Sequence, residues 1–132
     1  YLDLDRIRAL LGEQLGVVRD NFMLIAIYIS FVNSLLEEFF FRGYLFIGLL
    51  KKTSRFNAYS ISAGIFALYH LAILKGWFSP LIFVLSMIGL FVGGLIFNRL
   101  NERNGNILSS WLVHMMANLA INTIGLMMFG IL

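Results

Sequence analysis

Four long apolar runs, each interrupted by a short polar stretch, constrain this chain more than any other feature. They extend from about Asn21 to Leu50, from Ala58 to about Leu74, from Leu81 to about Phe97, and from Ile107 to about residue 131. A hydrocarbon core about 30 Å thick is crossed by roughly 20 helical residues, so each run can span a bilayer or come close to it. A soluble alternative fails on composition. Hydrophobic residues make up 60% of the 132 residues and charged residues only 13%, whereas soluble domains carry about a quarter charged. A membrane accepts that surface because its own interior is apolar. The expected fold is all-α, a polytopic transmembrane helix bundle.

Residues 1–20 read differently from the 21–132 core. Leu4, Ile7, Leu11, Leu15 and Val18 recur at helical spacing, with Asp3, Asp5, Arg6, Arg8, Glu13 and Arg19 between them. This pattern predicts an N-terminal amphipathic helix lying in the membrane interface. The chain opens on Tyr1 inside a polar stretch, from which we expect a piece of a longer protein, with further spans or a signal peptide upstream.

The loops carry the basic residues. Lys51, Lys52 and Arg55 follow the first run, and Arg99 and Arg103 follow the third, whereas the middle loop holds only Lys75 ahead of Pro80. Alternating spans put the first and third loops on one face, and the positive-inside rule makes that face cytoplasmic. The basic residues of the leading segment fall on the opposite face. The net charge of +3 is spread over such loops, which argues against a nucleic-acid partner. The chain has no cysteine, which excludes disulfides, thiolate metal sites and a cysteine nucleophile. Pro80 is placed to start the third helix. Gly89 and Gly93 form a small-xxx-small pair expected to let helices approach closely, so the third span is assigned packing and no chemistry.

Ionisable residues inside the runs are the informative ones, because a charge at mid-bilayer costs about 2.5–3.5 kcal/mol on insertion scales. Glu38 and Arg42 are four apart on one helix face and can pair. Glu37 lies about 100° around the helix, without that partner. Two adjacent carboxylates, one neutralised and one free, suit different tasks, and Glu37 is the candidate general base. A structural Glu–Arg clamp is the alternative. His70 lies near the far end of the second run, with Phe66 one turn earlier to wall a pocket beside it or to face lipid. In the last run Ser110, His114, Asn118 and Asn122 repeat every four residues. That stripe would face other helices or a water-filled cavity, either as hydrogen-bonded glue or with His114 and Asn118 as donors to a carbonyl oxygen. Counting helical rise from the face of the first and third loops places Glu37 and His70 roughly 20 Å deep, Asn118 roughly 18 Å and His114 roughly 12 Å.

The set Glu37-Glu38-x-x-x-Arg42, Phe66-x-x-x-His70 and His114-x-x-x-Asn118 resembles the three motifs of the CAAX-protease family, also called CPBP for CAAX proteases and bacteriocin-processing enzymes. The resemblance covers roughly Asn21 to Asn122, with all three motifs in order on separate runs. It implies a bundle around a conical, water-accessible cavity, usually with more spans than four. It implies an intramembrane endopeptidase in which Glu37 activates water, His70 helps to hold that water, and His114 and Asn118 form the oxyanion hole. Glu38 and Arg42 would stabilise the site. No cofactor is expected. Implied partners are the lipid bilayer and a peptide or protein substrate within or at the membrane, prenylated or bacteriocin-type; the implied location is a bacterial cell membrane. Three competitors remain: a zinc metalloprotease with Glu37, His70 and His114 as ligands, a non-proteolytic immunity or scaffold protein, and a proton-coupled transporter using Glu37 and His70 as a relay.

Overall fold

The computed structural model describes residues 3–74 and 76–132. Tyr1 and Leu2 of the leading segment and Lys75 of the middle loop lie outside the described residues. The fold is all-helical, with no strand among the described residues. Among the described residues five helices follow one another: α1 (Leu4–Leu15), α2 (Arg19–Leu50), α3 (Arg55–Leu74), α4 (Pro80–Asn104) and α5 (Leu108–Met128). The last four are long and apolar enough to cross a membrane.

The leading segment is not one helix through Val18. Asp3 caps α1 by accepting the Arg6 N–H at 3.0 Å. The helix ends at Leu15 because Gly16 turns left-handed at φ 65°, a conformation that costs glycine little. The Gly16 and Val17 amides then donate back to the Gly12 and Leu11 carbonyls, each at 3.1 Å, closing the helix end. Asn21 fastens the turn. Its Oδ1 accepts from the Val18 amide at 2.8 Å and its Nδ2 donates to the Gly16 carbonyl at 2.9 Å. Val18 is therefore turn, and Arg19 and Asp20 belong to α2. Of the predicted apolar face, Ile7 is buried while Leu4 and Leu15 stay exposed.

α2 is one helix of 32 residues in which two wide π-type stretches, Tyr28–Asn33 and Phe39–Phe46, flank a regular turn at Ser34–Glu38. In the first stretch the Ser34 amide reaches five residues back to the Ile29 carbonyl. Such bulges recur at functional sites because they re-aim side chains. Here they bracket both glutamates. The other helices start and stop near the expected places. α3 begins at Arg55 instead of Ala58, and α4 continues past Phe97 to Asn104. Pro80 opens α4 at its first turn, as expected.

Polarity is inverted relative to a soluble core. Ser30, Ser34, Glu38, Arg42, Ser62, Asn98 and Ser110 are fully buried, whereas Leu24, Leu36, Phe40, Leu81 and Ile121 point outward. That arrangement belongs in lipid, where polar groups satisfy one another inside the bundle. α3 packs against α4 over much of its length, and α5 packs against both α2 and α4. Close approach of α3 and α4 depends on Gly94 and not on Gly89 or Gly93. A Cβ at Gly94 would lie 3.0 Å from Ala63 Cα and 3.4 Å from Arg42 Nη2; at Gly89 or Gly93 it would meet nothing within 4 Å. Near the same helix pair Ser62 Oγ donates to Asn98 Oδ1 and Asn98 Nδ2 donates to the Tyr59 carbonyl, both at 3.3 Å.

The polar stripe on α5 is divided between two tasks. Asn118 Nδ2 donates to the Ile29 carbonyl at 3.3 Å, the same oxygen that accepts the long-range Ser34 amide. Asn122 Nδ2 donates to the Ala26 carbonyl at 3.2 Å and to Ser30 Oγ at 3.0 Å. Trp111 Nε1 donates to Ser34 Oγ at 3.1 Å. These bonds hold α5 to the widened part of α2. Ser110 Oγ donates instead to the Ile107 carbonyl at the start of α5.

Candidate active site

Arg42 is buried in the middle of the bundle. Its Nη1 lies 3.0 Å from Glu38 Oε1, and neither side chain reaches the surface. Its Nη2 donates to the carbonyl of Gly94 at 3.4 Å, the same glycine whose missing Cβ lets α4 approach Ala63. The guanidinium carbon lies 4.2 Å from the Phe66 ring centroid and 4.9 Å from that of Phe97. Desolvated cation–π contacts of this kind contribute about 2 kcal/mol or more. The expected Glu38–Arg42 pair is thus present, and the two aromatic rings help the charge tolerate burial.

Glu38 Oε1 serves a second partner. His114 Nδ1–H donates to it at 2.9 Å. The His114 imidazole is sandwiched by Phe97, stacked at 5.1 Å with an interplanar angle of 21°, and by Phe66, edge-on at 5.8 Å. With Nδ1 committed as donor, the neutral ring has its lone pair on Nε2. Nε2 lies 3.6 Å from Glu37 Oε2.

His70 repeats this arrangement from α3. Its Nδ1–H donates to the Phe66 carbonyl at 2.9 Å, one turn earlier on the same helix. Its Nε2 lies 3.8 Å from the same Glu37 Oε2. The Phe66 ring sits edge-on to His70 at 4.7 Å. Phe66 is therefore buried and faces no lipid. It orients His70 through its backbone carbonyl and its ring, and it covers Arg42.

Glu37 is held from its other oxygen. Asn33 Nδ2 donates to Oε1 at 2.7 Å, from one turn earlier in α2. Oε2 is buried and has no hydrogen-bond partner among the described residues. Three acceptors thus face one small volume: a carboxylate oxygen and two Nε2 lone pairs. A water in that volume can donate to the carboxylate and to one of the imidazoles.

The structure brings Glu37, His70 and His114 together, with Glu38, Arg42 and Phe66 packed behind them. It does not bring Asn118 into hydrogen-bonding contact with that group. The Asn118 amide is on the Ile29 carbonyl, and its second N–H is uncommitted. The depth count set His114 well above Glu37. That count took the span ends as level and the spans as upright, although spans tilt, and His114 Nε2 lies 3.6 Å from Glu37 Oε2. Sequence reasoning passed over Asn33, Phe97 and Gly94. Asn33 had a readable signal: it is a polar residue four before Glu37 in an apolar run. Phe97 and Gly94 had none, because phenylalanine and glycine are common in any span.

Among the described residues, no group of three or more histidine, cysteine, aspartate or glutamate side chains has the spacing of a metal site. The donor set of two imidazoles and a carboxylate suits zinc chemically, but its present spacing does not.

Comparison with known proteins supplies the remaining evidence. No curated protein and no solved structure matches the chain. A family model described as type II CAAX prenyl endopeptidase Rce1-like matches residues 19–120, which is 102 of the 132 residues. The matched segment runs from the first residue of α2 into α5 and contains every member of the cluster around Glu37. The chain belongs to the Rce1-like type II CAAX prenyl endopeptidase family, a family of membrane-embedded proteases.

Proposed function

We propose that the chain is an intramembrane endopeptidase in which Glu37 activates water for peptide-bond hydrolysis, with no covalent intermediate. One observation supports this reading above the others: a buried, unpartnered Glu37 Oε2 faces the Nε2 atoms of His70 and His114 at 3.8 and 3.6 Å. A water there is within reach of a base and is oriented by a second group, the geometry that general-base catalysis requires.

The steps balance as follows. Glu37 takes one proton from the water, which His70 helps to hold. The hydroxide oxygen bonds to the scissile carbonyl carbon, and the carbonyl electron pair moves to oxygen. For His114 to donate to that oxyanion its Nε2, an acceptor in the neutral ring, first takes up a proton from solvent and keeps it through the step, while Nδ1–H stays on Glu38. Asn118 gives its free amide hydrogen. Glu37 then returns the proton to the departing nitrogen as the C–N bond breaks, leaving a carboxylate and an amine. Asn33 fixes the Glu37 carboxylate throughout. Glu38 and Arg42 hold His114 and take no part in bond making.

Asn118→Ala tests the oxyanion role. Loss of an oxyanion donor lowers kcat by about 10²–10³, so kcat should fall by that factor with KM nearly unchanged. A variant with a lower unfolding temperature and normal kcat would make Asn118 a helix clasp for Ile29 and nothing more.

The family description suggests the first substrate to try, a peptide carrying a prenylated CAAX end. Bacteriocin-type and other membrane-associated peptides are the next class.

A zinc enzyme is the second reading, favoured by the two Nε2 atoms turned toward one carboxylate oxygen. Elemental analysis of the purified protein, with a chelator added to the cleavage assay, separates the two. We expect substoichiometric zinc and activity that survives chelation. Stoichiometric zinc, with activity lost to the chelator and restored by added zinc, would establish the metalloprotease.

A further inference from the structure

A second polar feature lies at the opposite end of α3 from His70, outside the catalytic group. Arg55 at the start of α3 and Arg99 near the end of α4 both turn to one oxygen, Glu102 Oε2, at 2.6 and 3.7 Å. The Tyr59 hydroxyl donates to that same oxygen at 2.5 Å, and the Arg55 guanidinium lies 5.6 Å from the Tyr59 ring. Both arginine side chains remain more than half exposed. Their nitrogens are no further apart than the sum of the two distances to Glu102, so one anion can bridge them.

Beside this pair runs a groove of about 580 Å³ between α3 and α4, walled by Phe56, Tyr59, Phe91 and Leu95 with the two arginines at its mouth. Phe91, Leu95 and Arg99 are four residues apart and share a face of α4. From Arg99 to Phe91 the groove descends about 12 Å into the span by helical rise. Charge at the top and an apolar, largely aromatic slot below match the two parts of a phospholipid.

The charge balance indicates which kind. Two guanidinium groups and one carboxylate leave one net positive charge, which a phospholipid of net charge −1 neutralises and a zwitterionic one, whose own cation already balances its phosphate, does not. Lys51 and Lys52 in the loop before α3 and Arg103 in the last turn of α4 lie on the same expected membrane face, and each basic residue near an anionic surface adds about 1 kcal/mol of attraction.

We infer that the Arg55–Arg99 groove is a binding site for an anionic phospholipid, its phosphate held by the two arginines and one acyl chain lying along Leu95 and Phe91. Guanidinium groups suit this task because they meet phosphate oxygens with paired N–H donors. The occupant ties α3 to α4 at the headgroup level, far from the chemistry.

The test uses the whole chain in detergent, with phosphatidylglycerol and phosphatidylcholine of identical acyl chains as probes. Lipid retention is read by native mass spectrometry, and stability by the unfolding midpoint. Phosphatidylglycerol should bind roughly tenfold or more tighter than phosphatidylcholine and should raise the midpoint more. R55Q/R99Q should bring the two lipids level, while K51Q/K52Q should keep most of the preference. L95W retains every charge but fills the slot, and it should lower phosphatidylglycerol retention; it decides the matter if R55Q/R99Q does not fold. The inference is overturned if the wild type has no preference, if R55Q/R99Q keeps it, if K51Q/K52Q alone removes it, or if L95W retains lipid as the wild type does.

Discussion

Glu37→Gln is expected to lower peptide cleavage by about 10²–10⁴, the usual contribution of a positioned general base, while the protein stays folded. The substitution preserves shape. Asn33 Nδ2 can still donate to the remaining carbonyl oxygen, as it does to Oε1 at 2.7 Å. What changes is the other end. An amide nitrogen replaces Oε2 and brings donors to a place where an acceptor had faced the two imidazoles. The variant therefore lacks the carboxylate that takes the water's proton but keeps its packing. The readout is turnover of a prenylated peptide by protein in liposomes, with the unfolding midpoint as the control. Turnover within a few-fold of wild type would remove Glu37 from the base role. The same variant addresses the scaffold reading, since a scaffold keeps its cellular phenotype without the carboxylate and an enzyme loses it.

The second large effect is on stability. Arg42→Met should destabilise the protein by about 3–5 kcal/mol, because it strands a buried carboxylate. Glu38 is fully buried and would retain only His114 as a partner through Oε1. The Phe66 and Phe97 rings would lose the cation between them, and the Gly94 carbonyl would lose its donor. Adding Glu38→Gln to Arg42→Met should recover much of the loss, since the unpaired charge is then gone. Recovery of stability without recovery of cleavage is the expected combination, as His114 no longer has an anion to orient it. A single Arg42→Met variant within about 1 kcal/mol of wild type would show that the pair does not carry the stability assigned to it.

The membrane fold was legible because it depends on averages. Twenty apolar residues between basic loops leave few alternatives, and Pro80 marked the start of α4. Features that depend on a single contact were not legible. Gly16 ends α1 by adopting a left-handed conformation, yet nothing separates it in sequence from Gly12 inside the same helix. Gly94 and not Gly89 or Gly93 meets Ala63, and which face of α4 turns toward α3 is not written in the spacing of its glycines. The wide turns of α2 have no spacing signature, and they decide which carbonyls α5 can reach.

The site divides in the same way. Glu38 and Arg42 were readable as a pair because both members are charged and lie one helical turn apart. His70 and His114 stood out because imidazoles are rare in apolar runs. Their tautomers were not readable, since these depend on the Phe66 carbonyl and on Glu38. Asn118 showed its stripe but not its partner, the Ile29 carbonyl. Phe97, stacked on His114, carried no mark that set it apart from the other phenylalanines of the runs.

The central claim is that Glu37, His70 and His114 act as one unit on one water. A kinetic cycle tests it most directly: kcat/KM for Glu37→Gln, His70→Ala, His114→Ala and their combinations, measured on the same peptide in liposomes. Residues that act as a unit give grossly non-additive losses, so each single variant should lose most of the activity and the triple variant little more. Losses that multiply across the three positions would contradict the account, because they would mean three side chains contributing independently from separate places.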